Sequence, residues 1–147
     1  MTSHCLDDEN ARRLETLVLD RDAKWRQLVA FNIGTYLDSP LPYFAATGEE
    51  GLRILSERPI DVVICDLSVP GMEELQFLQQ ARKTSARTKV ILMAGNFDGY
   101  PTPNNLVEQG AIAAIPKTEI STTLIDVLRL LQEMPAQAMQ NPVRYSN

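Results

Sequence analysis

The stretch VVICDLSVPGM, residues 62–72, runs four apolar residues into Asp66 just ahead of a turn at Pro70-Gly71. An aspartate so placed either caps the turn by accepting a backbone N–H or reacts. Three more apolar runs end on positions that raise the same issue: TLVLD on Asp20, KVILMA on Ala94, and AIAAIP just before Lys117. If these runs are strands of a parallel α/β sheet, all four positions stand at or just beyond the carboxyl ends of strands, where ligands and chemistry gather. Two acids and a lysine on one sheet edge are more than chance placement supplies.

The elements that must hold these residues are legible in the hydrophobic pattern. TLVLD (16–20), PYFAAT (42–47), DVVICDL (61–67), KVILMA (89–94) and AIAAIP (111–116) are continuous apolar runs. They do not alternate, as expected for strands covered on both faces. Helix spacing fills the gaps. Val29, Ile33, Tyr36 and Leu37 share one face, and Leu124, Val127, Leu128 and Leu131 share another. Thr102-Pro103 reads as an N-cap followed by Pro at the first helical position, with Gly110 ending that helix. Alternating strands and helices predict a doubly wound α/β domain over 15–134. Residues 1–14 read as a polar lead-in, helical near Glu9–Leu14, and 135–147 as a C-terminal tail.

Bulk properties narrow the class of function. The 147 residues suffice for one domain with its own core. A net charge of −5 without a basic stripe argues against a nucleic-acid surface. No apolar run reaches the length of a membrane span, and MTSHCLDDEN has neither the basic nor the apolar part of a signal peptide. Cys5 and Cys65 suggest neither a disulfide framework nor a metal knuckle, so a cytoplasmic setting is expected.

DVVICDLSVPGMEEL resembles the phosphoacceptor segment of response-regulator receiver domains of bacterial two-component systems. AATGEEGLRIL (45–55) and VEQGAIAAIPK (107–117) resemble that family's flanking stretches in the same order, and the likeness covers about residues 15–133. The resemblance implies a flavodoxin-like (βα)5 fold with strand order 2-1-3-4-5. It implies that Asp66 accepts a phosphoryl group from a sensor histidine kinase or phosphotransfer protein, that Lys117 contacts the phosphoryl group, and that Mg²⁺ sits between Asp66 and acids after the first strand. Such a protein is no enzyme beyond its own phosphorylation and dephosphorylation. It signals to a downstream protein through the last two helices and the strand between them, with room for a homodimer.

Four departures qualify those expectations. Asp20 matches the first acid after the first strand, but Arg21 stands where the family has its second, a metal ligand; Asp22 substitutes only if the loop shifts by one residue. Three acids and a lysine leave a pocket at −2, whereas Asp20 and Asp66 against Arg21 and Lys117 leave it neutral. Mg²⁺ binding through Asp20 and Asp66 is therefore expected to be weak. Arg21 paired with Asp66 at roughly 4 Å would gain about 4 kcal/mol before desolvation and would mimic the metal; the plainer expectation is an arginine pointing to solvent. Ala94 replaces the hydroxyl residue expected after the fourth strand, Ala114 replaces the aromatic three residues before Lys117, and Thr118 replaces the proline after it. The loop GNFDGYPTPNN (95–105) is then the candidate for any other relay, against the plainer reading of a surface loop whose aromatics pack locally.

Two further readings compete. One is a pseudo-receiver, a binding module independent of phosphorylation with Arg21 pairing Asp66. The other, more remote, is a haloacid-dehalogenase-like phosphatase using Asp20 and Asp22 of LVLDRD; Lys24 and Ala94 depart from that pattern. No DNA-binding or catalytic unit follows Leu131 in this sequence, so protein contacts are the expected output.

Overall fold

The computed structural model describes residues 12–69 and 74–135. The turn at Pro70-Gly71-Met72, the lead-in through residue 11 and the tail beyond Pro135 lie outside the described residues. Five strands, β1 (Thr16–Leu19), β2 (Tyr43–Ala45), β3 (Val62–Asp66), β4 (Lys89–Ala94) and β5 (Ala113–Pro116), pair in parallel in the order β2-β1-β3-β4-β5. Helices α1 (Ala23–Tyr36), α2 (Gly48–Glu57), α3 (Glu74–Thr84), α4 (Pro103–Glu108) and α5 (Ile125–Glu133) connect them. This is the doubly wound, flavodoxin-like arrangement expected from the sequence.

The continuous apolar runs follow from burial on both sides of the sheet. Val18, Ile64, Ile91 and Met93 pack on one face with Val29 and Ile33 of α1 and Leu128 and Leu131 of α5. The alternate residues Leu19, Val63, Cys65 and Leu92 pack on the other, under Leu55, Phe77 and Leu106 from α2, α3 and α4. Gly51 lets α2 approach the sheet closely, since a Cβ there would stand 3.2 Å from a Leu19 methyl.

Three local differences from the sequence pattern have physical causes. Tyr36 is 48% exposed although it shares the face of Val29 and Ile33; it lies in the last turn of α1, where Leu37 beyond it closes the core instead. The tract PYFAAT yields only three strand residues, because Thr47 caps α2 by accepting from the Glu50 amide while Glu50 accepts from the Ala46 amide. Residues 12–14 are not helical: the Arg12 amide donates to Gln132 O and the Leu14 amide to Ser39 Oγ, which ties the segment to the end of α5.

The amino ends of the strands are joined by a buried acid. Asp61, 3% exposed, accepts from the Glu15 amide at 2.8 Å and pairs with Arg87 and, at 3.8 Å, with Arg12; its backbone also bonds Glu15 and Lys89. Removing a partner from a fully buried pair costs about 3–5 kcal/mol, and the half-exposed Arg87 reduces that by turning to water. Asp61→Ala is therefore expected to destabilise the fold by about 2–3 kcal/mol, and Arg87→Ala by much less. Urea unfolding of the two variants checks the order.

Candidate functional site

The carboxyl edge of the sheet opposite Asp61 brings Asp20, Asp66 and Lys117 together. Asp20 follows β1, Asp66 ends the adjacent β3 and Lys117 follows β5, so the lysine reaches past the end of β4 to meet the two acids. The Lys117 Nζ lies 2.8 Å from Asp20 Oδ2 and 2.9 Å from Asp66 Oδ1. All three side chains are largely buried, at 12%, 6% and 5% exposure. Burial alone lowers the pKa of Lys117; its hydrogen bonds to Asp20 and Asp66, together with their charge, outweigh that and raise it above the ordinary lysine value.

Each member is placed by its local backbone. The Asp20 amide donates to Ala45 O, and Oδ1 of Asp20 accepts from the Asp22 amide at 2.9 Å. Asp22 in turn caps α1 by accepting from the Lys24 amide. Two successive turns of this type settle the question of the acids after β1. The loop does not shift: Asp22 is exposed and occupied as a cap, and Arg21 between them is exposed. The Arg21–Asp66 pair therefore does not form; Lys117 takes that place. The D-x-D arrangement of a phosphatase is likewise not assembled, since Asp22 turns to the helix rather than to Asp20's partners.

Asp66 Oδ2 accepts from the Ser68 amide at 3.0 Å and from the Ser68 hydroxyl. Oδ2 thus closes a turn, as the capping reading has it, while Oδ1 faces the ammonium. Lys117 opens a 3-10 turn, Lys117–Glu119, which runs through a wide turn over Ile120–Leu124 into α5. Ile120 and Leu124 anchor that segment in the core. Neither turn was foreseen from the helix spacing.

The remaining candidates line the neighbourhood without touching the ion pairs. Ala94 ends β4, is buried, and stands opposite Pro116 in register. Ala114 is half-buried on β5 and packs on the same cluster as Phe97 and Tyr100 from the β4–α4 loop. The described peptide bonds, the one before Thr118 among them, are trans. Sequence reasoning did not find Ser68, although its place two residues after an aspartate fits an Asx turn. It also missed Arg26, whose Nη1 donates to Asp20 O at 2.6 Å. Trp25, early in α1, lies with its indole over Lys117, the ring centroid 4.7 Å from Nζ.

The donor set answers the expectation of Mg²⁺. Among the described residues no group of three His, Cys, Asp or Glu is arranged to hold a metal. Two carboxylates remain, and both already bind Lys117. Mg²⁺ demands near-octahedral oxygen ligation, and these residues do not fit it as a resident ion.

The model of the response regulator receiver domain family matches residues 17–129. An NtrX-like response regulator of Rickettsia typhi is 29% identical over 131 residues, covering 88% of this chain and 27% of the relative. A protein-glutamate methylesterase/protein-glutamine glutaminase of Nitratidesulfovibrio vulgaris is 24% identical over 121 residues, covering 82% of this chain and 33% of its own length. The chain thus spans about a quarter to a third of the length of these two relatives. Among solved structures, the response regulator domain of Thermotoga maritima CheB superposes with a TM-score of 0.71 at 21% identity, covering 84% of this chain and 99% of that one. A CheY-like receiver domain from Methanospirillum hungatei gives 0.70 at 22%, covering 82% and 94%. At such identity these structures speak for the fold; the family match over most of the chain speaks for descent. The chain belongs to the response-regulator receiver domains of two-component signalling.

Proposed function

We propose that Asp66 is a phosphoacceptor and that Lys117 is the cation that serves it. The observation that carries this reading is the single ammonium held between two buried carboxylates at the carboxyl edge of the sheet. The donor is a phosphohistidine on a sensor histidine kinase or phosphotransfer protein. A carboxylate oxygen of Asp66 attacks phosphorus, a P–O bond forms, and the P–N bond to imidazole breaks. The imidazole nitrogen keeps the electron pair and takes a proton from water. Ser68 is exposed and its hydroxyl can rotate away, leaving Oδ2 with the Ser68 amide alone, so Oδ2 is the oxygen that attacks while Oδ1 stays with Lys117. The ammonium then faces the new phosphoryl oxygens, where fixed positive charge stabilises the developing anion.

Around this chemistry we place a domain over 15–134 that works in the cytoplasm and passes its state to a downstream protein through α4, β5 and α5, or through a homodimer of that face. The usual coupling of a hydroxyl and an aromatic is reduced to Ala94 and Ala114. Phe97 and Tyr100, packed on the same cluster as both, are the side chains left to carry a change from the pocket to α4.

A second reading rests on the missing third acid: a pseudo-receiver whose pocket is closed by Lys117 and whose binding is independent of phosphorylation. Acetyl phosphate in Mg²⁺-containing buffer, followed by intact mass, separates the two. Wild type is expected to gain one phosphoryl group, which Asp66→Asn loses. An adduct on Arg21→Asp alone would establish the pseudo-receiver reading and identify the absent acid as its cause.

The charge balance makes a separate prediction. Lys117→Met leaves two buried carboxylates facing each other and is expected to cost about 3–5 kcal/mol at neutral pH. Because the folded-state pKa of Lys117 is raised above 10.5, its contribution is complete below that pH and fades as pH climbs through the higher folded value. Urea unfolding at a series of pH values from neutral upward should show a constant gap between wild type and variant up to about pH 10.5, closing above it.

A further inference from the structure

We propose that Trp25 is a positioning residue for Lys117: the face of its indole, 4.7 Å from the ammonium, holds that charge between Asp20 and Asp66. A lysine side chain is a flexible four-carbon stem with a compact, strongly hydrated charge, and two carboxylates alone leave part of the ammonium open to solvent. The negative face of an indole attracts a cation without adding formal charge. It therefore supplies a third attractive surface in a pocket that lacks a third acid.

The placement of the ring is as determined as that of the acids. Asp20 accepts from Asp22, Asp22 accepts from Lys24, and Trp25 follows in the first turn of α1. The loop that fixes the first carboxylate thus also fixes the indole. Trp25 packs on the core beneath α1 and α5 and lines one cavity with Asp20, Asp66, Lys117 and Ile120. This inference deepens the proposed function, in which Lys117 serves Asp66. It concerns where the ammonium sits, which can be read without any phosphoryl transfer.

The test is amine acetylation with limiting acetic anhydride, read lysine by lysine by mass spectrometry in the full chain. Lys83, exposed on α3, is the reference, and the buried Lys89 reports any general loosening. Trp25→Leu, which keeps the apolar bulk but not the π face, is expected to raise Lys117 labelling by about two- to tenfold. Lys89 should be unchanged, and Trp25→Phe should restore most of the protection. If Lys117 and Lys89 rise together, Trp25 is structural only; if Lys117 does not rise, the inference is overturned. A second measurement needs no substitution at Trp25. It is the only tryptophan in the chain, so Lys117→Met should shift its emission while Lys83→Met should not. Equal spectra for wild type and Lys117→Met would also overturn the inference. None of these outcomes depends on whether Asp66 takes a phosphoryl group, so a failed phosphorylation leaves this test standing.

Discussion

Two carboxylates that sit almost out of water within reach of one atom repel each other and lose hydration together, and neither cost is tolerable without a cation between them. Lys117 is that cation, and the arrangement of this fold can be followed outward from it. β5 must pair with β4 in the register that sets Pro116 opposite Ala94, so that the next residue leaves the carboxyl edge of the sheet and reaches past the end of β4 toward Asp66 on β3. The 3-10 and wide turns after it must absorb the path back into α5 while burying Ile120 and Leu124. On the other side, the turn at Asp20 must present one oxygen to the ammonium and the other to the Asp22 amide. Backbone and side-chain geometry on three strands therefore converge on one charge.

Much of this was legible from sequence because its cause is hydrophobic. Runs such as VVIC and VILM cannot be half-exposed, so a sheet covered on both faces was forced, and with it the edge where Asp20, Asp66 and Lys117 meet. What could not be read was the choice among partners of similar charge. Arg21 and Lys117 both carry +1, and both had a claim on Asp66. The decision rests on two side-chain-to-amide bonds, Asp20 to Asp22 and Asp22 to Lys24, which leave Arg21 outside. Periodicity holds no trace of such bonds. The exposure of Tyr36 is a local matter of the same kind: at the end of α1 Leu37 takes the core position and Tyr36 beside it is left half-exposed.

The methyl groups at Ala94 and Ala114 have a counterpart in the packing. Ala94, at the end of β4, and Ala114, within β5, share one apolar cluster with Phe97 and Tyr100 of the β4–α4 loop. Gly99, with φ +82, supplies the turn between them that other residues rarely adopt. The plainer expectation for this loop, aromatics that pack locally, describes the observed contacts. It also means that any movement of the loop must lift apolar surface from the core, so a relay through it has to overcome that burial.

β3 carries two buried aspartates, one just before its first residue and one at its last, and their surroundings are opposite in kind. Asp61 faces two arginines and accepts from a backbone amide, so its charge is more than balanced and its position is tied to three segments. Asp66 shares a single lysine with a second acid, and its other oxygen is held by an exposed serine on a turn. The three buried groups there carry −1 between them. Converting Asp66 to a mixed anhydride would add negative charge to that pocket, and Lys117 is the cation that faces it. The same strand thus holds one aspartate whose charge is more than balanced and one that shares a single cation with a second acid.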